Sequence, residues 1–117
     1  MEVRVVERSG VRLVECVASI ARVDDAQNLI AACGAHKVHR LFIDSASFPA
    51  AFFDLSSRFA GEFIQKMQNY HIRVATVFAS DTAHGERFTE FLREARRGQG
   101  FRAFADRADA EAWLCSE

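Results

Sequence analysis

Hydrophobic positions along the chain follow two different periods, and the changes between them divide the sequence into short segments. Residues 3–7 and 11–16 are rich in β-branched side chains and flank the turn-forming pair Ser9-Gly10. This pattern predicts two strands joined as a β-hairpin. Both segments also carry charged side chains, which suits a sheet edge that has to resist pairing with another chain.

Three further short apolar runs, residues 40–44, 73–78 and 101–105, are predicted to be strands. Such runs are apolar on both faces when helices cover both sides of a parallel sheet. The segments between them carry apolar residues at helical spacing, so we expect strands and helices to alternate.

The first predicted helix is capped by Asp24 or Asp25 and ends at Gly34. The second and longest helix is expected to follow a loop over residues 45–51 that contains Pro49, to be capped by Asp54 and to end near residues 69–71. Its apolar stripe is formed by Leu55, Phe59, Phe63, Ile64, Met67 and Tyr70.

Two more helices complete the pattern. The third is predicted to begin at Ser80 or Asp81 and to close at Gly98-Gln99-Gly100, and the fourth is capped by Asp106. The resulting order, β-β-α-β-α-β-α-β-α, predicts an α/β fold. We expect a single domain over residues 1–117, with a five-stranded, mostly parallel sheet, one antiparallel N-terminal edge strand and four flanking helices.

Composition narrows the range of partners. Half of the 117 residues are hydrophobic and 11 are Phe, which is enough for a packed core. The 15 basic and 16 acidic side chains nearly cancel, so no strong field attracts nucleic acid or an acidic membrane. The three cysteines are widely spaced and form no CxxC pair, and the chain start lacks a signal peptide. We therefore expect a cytoplasmic protein with no nucleic-acid or membrane partner.

Candidate chemistry is sparse. Asp44 ends a predicted central strand, and ligands of open α/β sheets bind at the carboxyl ends of the strands. Asp44 either faces a ligand there, with Ser45, or caps the following loop through backbone N–H groups. Serines in the loop and at the next helix start could form a phosphorylation switch, or they cap and face solvent. These serines are Ser45, Ser47, Ser56 and Ser57.

Three phenylalanines, Phe48, Phe52 and Phe53, crowd the same loop. They either belong to the core or, if exposed, mark a partner surface or the lining of an apolar pocket. The histidines do not form a recognisable metal-ligand pattern, and no base is predictably adjacent to a cysteine. The sequence thus predicts no catalytic residue, no metal site and no cofactor.

The stretch from Phe52 to Lys66, with the sequence FFDLSSRFAGEFIQK, resembles a signature of an uncharacterised bacterial family, "domain of unknown function 4180". The resemblance extends to Ile43-Asp44, Asn69-Tyr70, Arg73-Val74-Ala75 and residues 111–114. The family pattern has a small residue at the position of Arg58. This resemblance implies a compact bacterial domain and brings no known activity.

More distantly, the order of elements resembles the STAS fold of anti-sigma-factor antagonists and transporter tails. That fold carries an Asp-Ser-Ser-Gly loop whose serine is phosphorylated at a helix start. Here the matching place reads DLSSR over residues 54–58, where Leu55 replaces the first serine and the glycine is missing. The switch is therefore not carried over, and Ser56 is at most a displaced candidate.

Two functions follow as hypotheses, and a non-enzymatic role is favoured over an enzyme. The first is a STAS-like regulatory or interaction module that binds a protein partner, or itself. The second is a small-molecule-binding protein, or a small enzyme, with a pocket at the carboxyl ends of the strands. For either function, the expected surface comprises Asp44, Ser45, Phe48, Phe52, Phe53, Asp54, Ser56, Ser57 and Arg58.

Overall fold

The computed structural model describes residues 1–78 and 84–116. Its strands are β1 (Val3–Arg8), β2 (Val11–Cys16), β3 (Arg40–Asp44), β4 (Arg73–Val77) and β5 (Phe101–Phe104). Its α-helices are α1 (Asp25–His36), α2 (Ala50–Phe53), α3 (Phe59–Asn69), α4 (Glu86–Ala95) and α5 (Arg107–Cys115). Single 3₁₀ turns cover Ser45–Ser47 and Leu55–Ser57.

The five strands form one sheet in the order β1-β2-β3-β4-β5. The β1–β2 pair is antiparallel and the other three pairs are parallel, which confirms the predicted α/β fold and its N-terminal edge hairpin. Because neighbouring parallel strands follow one another in sequence, right-handed crossovers put the connecting helices on one face of the sheet. The C-terminal α5 is then free to cover the other face.

Side chains alternate between the two faces of the sheet along each strand, so each face has its own hydrophobic core. On the connecting-helix side, Leu41 is in register with Val74, and Val74 with Phe101. On the α5 side, Phe42 and Ala75 pack in a smaller cluster with Leu114. Strands between two helical layers therefore carry the continuous apolar runs seen in the sequence.

Phe52 lies at the centre of the larger core. Its side chain has 0% exposure, and its ring centroid lies 3.8 to 6.5 Å from those of seven other phenylalanines. Those rings belong to Phe48, Phe53, Phe59, Phe78, Phe88, Phe91 and Phe101. Phe52 therefore joins the packing of α2, α3, α4, β5 and the residue that follows β4.

The segment that leads into the longest predicted helix departs from expectation. A fifth helix in the described residues, the one-turn α2, follows Pro49 and overlaps the end of the predicted loop, so the predicted count of four helices is wrong. The long helix does not begin after Asp54: a 3₁₀ turn intervenes, Arg58 adopts a left-handed φ of 67°, and α3 starts at Phe59. Local side-chain-to-backbone hydrogen bonds compete with helix formation there.

The ends of α1 also differ from the prediction. Asp24 occupies the N-cap position but makes no capping hydrogen bond, while Asp25 Oδ2 accepts hydrogen bonds from the N–H groups of Ala21 and Arg22. Gly34 lies inside the helix and does not end it. The helix ends instead at Lys37, whose left-handed backbone lets its N–H bond back to the last turn.

Of the remaining two predicted helix starts, one is confirmed and the other lies outside the described residues. Asp106 accepts a hydrogen bond from Asp109 N–H at 2.9 Å, which confirms it as the cap of α5. Ser80 and Asp81, the predicted start of the preceding helix, lie outside the described residues, and α4 is described from Glu86. None of the helices in the described ranges has the length and apolar character needed to span a bilayer.

Candidate functional site

The predicted site residues lie at the carboxyl end of β3 and in the segment that follows it. After β3, Asp44 Oδ1 accepts a hydrogen bond from Ala46 N–H at 2.9 Å. The turn is tied to the core because Ser45 O accepts from Phe48 N–H and Ser47 O accepts from Ile20 N–H. Asp44 thus caps the loop, as one of the two interpretations of the sequence proposed.

The phenylalanines of this loop divide between core and surface. Phe48 is 6% exposed and Phe52 is fully buried, and their rings stack on each other at a centroid distance of 3.8 Å. The structure therefore places these two residues in the core instead of on an exposed surface. Only Phe53 is half-exposed, because it lies at the end of α2 beside the start of α4.

Phe53 lines a hollow of about 260 Å³ that we call the carboxyl-end pocket. The segment after β3 contributes residues 53–56, and the start of α4 contributes residues 84–88. The exposed imidazole of His84 stacks on the Phe53 ring, with a centroid distance of 3.9 Å and an interplanar angle of 19°. An aromatic wall therefore forms one side of the pocket.

The polar side of the pocket is held by Asp54. Its Oδ1 accepts hydrogen bonds from Ser56 N–H at 3.1 Å and from Ser56 Oγ–H at 2.6 Å. Both side chains are exposed. Asp54 therefore caps the 3₁₀ turn rather than α3, and it fixes the direction of the Ser56 hydroxyl.

Ser57 and Arg58 follow the pocket but do not line it. Ser57 Oγ donates to Ala51 O at 2.6 Å and accepts from Phe59 N–H at 3.2 Å, which links α2 to the start of α3. Arg58 is exposed at the N-cap position of α3. The exposed polar surface of residues 54–58, which we call the switch loop, is thus continuous with the pocket.

The pocket also contains residues that sequence reasoning did not assign to a site. His84, Gly85, Glu86 and Arg87 line it together with Phe53 and Asp54. They follow β4, which is the parallel neighbour of β3. Because neighbouring parallel strands end at the same sheet edge, applying the carboxyl-end rule to both strands would have found them.

The two buried thiols are poor nucleophiles. Burial raises the pKa of the Cys33 thiol to about 11 and also raises that of Cys16, so both thiols are held in the protonated, weakly nucleophilic form. Across residues 1–78 and 84–116, no group of three His, Cys, Asp or Glu side chains is placed to hold a metal ion.

These features define an α/β domain with a mixed sheet and a small hollow at the carboxyl ends of its strands. A family model described as Domain of unknown function (DUF4180) matches residues 8–114. Since that match covers most of the chain, the protein belongs to this family. No curated protein and no solved structure matches the chain.

Proposed function

We propose that this protein is a cytoplasmic, non-enzymatic regulatory module that binds a protein partner through the switch loop. The observation that carries the proposal is the construction of that loop. Asp54, Ser56, Ser57 and Arg58 are all exposed, yet hydrogen bonds fix the backbone and two of the hydroxyls. A pre-ordered polar surface loses little conformational entropy when a partner binds.

A STAS-like architecture is part of the same proposal. The strands lie side by side in sequence order after an N-terminal hairpin, in keeping with the order of elements on which the likeness rests. Arg58 has a φ of 67°, a conformation that favours glycine, but the glycine of the STAS loop matches Ser57 and not Arg58. The proposed likeness therefore rests on the order of elements alone.

Charge reversal at Arg58 tests the proposal. Tagged wild-type protein, Arg58→Glu and Arg97→Glu are each used to capture partners from a lysate of the native host. Arg97 is an exposed cation near the opposite end of the sheet, so its variant controls for a change in net charge. We expect one protein to co-purify with the wild type and Arg97→Glu but to be reduced at least about tenfold with Arg58→Glu.

A partner captured equally by all three proteins would contradict the switch loop as the binding surface. Failure to capture any partner with the wild type at native protein levels would also count against the proposal.

A second function is favoured by the carboxyl-end pocket. Stacked Phe53 and His84 offer a face for a planar group, and Asp54 and Arg87 lie on the same hollow. This arrangement suits a small planar ligand with polar substituents. Native mass spectrometry of protein from the host tests it: a retained small molecule should be lost in His84→Ala and kept in Tyr70→Ala, which removes an exposed aromatic ring elsewhere.

A further inference from the structure

The end of the sheet opposite the carboxyl-end pocket carries a second hollow, of about 340 Å³, which we call the amino-edge hollow. It lies between the turn of the β1–β2 hairpin and the connection from α1 to β3. Its lining residues are Gly10, Val11, Arg12, Lys37, Val38, His39 and Arg40. The hollow is therefore separate from both the switch loop and the carboxyl-end pocket.

Every ionisable side chain that lines this hollow is basic. Arg12 and Lys37 bring two cations, and His39 adds an imidazole. Within residues 1–78 and 84–116, no hydrogen bond or ion pair engages the side chains of Arg12, Lys37 or His39. Arg40 also lines the hollow, but its Nε donates to Leu114 O at 2.7 Å, which holds its guanidinium on the α5 side of the sheet.

Two features oppose this positive charge, and neither cancels it. The carboxyl end of α1 contributes a partial charge of about −0.5. The N–H groups of Lys37 and Val38 already bond to the carbonyls of Gly34 and Cys33 at that end. Glu7 faces Arg12 across the hairpin, but it does not line the hollow and forms no ion pair with Arg12 in the described chain. The full charges of Arg12 and Lys37 together exceed these contributions.

Lys37 also adopts an unusual backbone conformation. Its φ of 56° and ψ of 42° lie in the left-handed region, where glycine is the common residue at the end of a helix. The chain thus carries a long cationic side chain at a position where glycine would be less strained. A ligand-binding role gives that choice a physical reason.

We propose that the amino-edge hollow binds a small molecule that carries a phosphate group. Arginine presents a planar fork that matches phosphate oxygens, and lysine adds a mobile point charge. The hollow has the volume of a small-ligand pocket. Arg12 approaches the phosphate from the hairpin, and Lys37 approaches it from the end of α1.

Pyrophosphate is a suitable probe for titration calorimetry, with sodium chloride of equal ionic strength as the reference titrant. Three variants are compared with the wild type: Arg12→Gln, Lys37→Gly and, as a matched control on α4, Arg93→Gln. We expect saturable one-to-one binding that weakens roughly tenfold in each of the first two variants and is unchanged in the control. Because Lys37→Gly removes the charge and relaxes the backbone, its thermal midpoint should not fall.

Absence of saturable pyrophosphate binding by the wild type would overturn the proposal. Equal affinity in Lys37→Gly, Arg12→Gln and Arg93→Gln would do so as well. Co-sedimentation with vesicles that contain phosphatidic acid separates two sources of phosphate. Protein left in the supernatant assigns a soluble ligand, whereas pelleting that depends on Lys37 assigns a lipid headgroup and contradicts the small-molecule proposal.

Discussion

Arg73 holds α5 on the sheet through two contacts with Trp113, one to its ring and one to its backbone carbonyl. The guanidinium carbon lies 4.2 Å from the centre of the Trp113 ring, and Nη2 donates a hydrogen bond to Trp113 O at 2.7 Å. Nη1 donates to Ser116 O, also at 2.7 Å. One side chain on β4 therefore stacks on the helix and donates to carbonyls at its C-terminal end.

Replacing Arg73 with lysine should destabilise the protein although the charge is kept. The ammonium group cannot stack on Trp113 and donate to two carbonyls at once, so we expect a loss of about 1–2 kcal/mol. Urea denaturation measures this change. Arg93→Lys on the exposed face of α4 is the matched control and should change stability by less than about 0.5 kcal/mol. Equal effects at the two sites would show that Arg73 does not anchor α5.

Thr76 is a buried polar residue whose removal should help the fold. Its side chain is 0% exposed, and Oγ1 has no hydrogen-bond partner within the described residues. Thr76→Val keeps the shape and removes the unsatisfied hydroxyl, so we expect a gain of about 1 kcal/mol in the free energy of unfolding. Thr76→Ser keeps the hydroxyl and loses a methyl group, so it should be less stable than the wild type. A destabilised Thr76→Val would indicate a partner for this hydroxyl.

Arg58 should be a site at which glycine stabilises the chain. Its φ of 67° costs an L-residue roughly 1 kcal/mol, and glycine adopts this conformation without steric strain. We expect Arg58→Gly to raise the thermal midpoint and Arg58→Ala to leave it unchanged, because alanine keeps the strain. A lower midpoint for Arg58→Gly would mean that contacts of the Arg58 side chain outweigh the backbone strain.

Glu15 should make stability depend on pH in the acid range. Arg107 hydrogen-bonds to both carboxylate oxygens, at 2.7 and 3.1 Å, and so lowers the pKa of Glu15 below its ordinary value of 4.5. A lowered pKa means that the ionised group stabilises the fold above the unfolded-state pKa, and that this contribution is lost as the pH falls through the folded-state value.

The stabilities of the wild type and Glu15→Gln at two pH values test this linkage. The wild type should be more stable by roughly 1 kcal/mol at about pH 6, and the difference should shrink as the pH falls below 4.5. A difference that stays constant between these pH values would show that the Glu15–Arg107 pair does not titrate as described.

The sheet could be predicted because short segments of the sequence determine where its strands lie. Runs such as residues 40–44 combine strand length with apolar character on both faces, and their order along the chain dictates the parallel pairing. The hairpin was equally clear from Ser9-Gly10, whose residues both have positive φ in the structure.

The path from Pro49 to Phe59 was not predictable from periodicity. The apolar spacing continues through Leu55, so it favours one helix from Asp54 onwards. Hydrogen bonds from Ser56 and Ser57 instead stabilise a separate 3₁₀ turn. The contact of Phe53 with His84 could not be predicted from the sequence either, because it joins segments 31 positions apart through tertiary packing alone.

Site-specific photocrosslinking in the native host tests the central claim, that the switch loop binds a protein partner, most directly. A photoreactive phenylalanine analogue replaces Ser56 in the loop or, as a control, Gln68 on the exposed surface near the end of α3. The account predicts a discrete crosslinked protein from position 56 that is absent from position 68. No crosslink at position 56, or the same crosslinked protein at both positions, would contradict it.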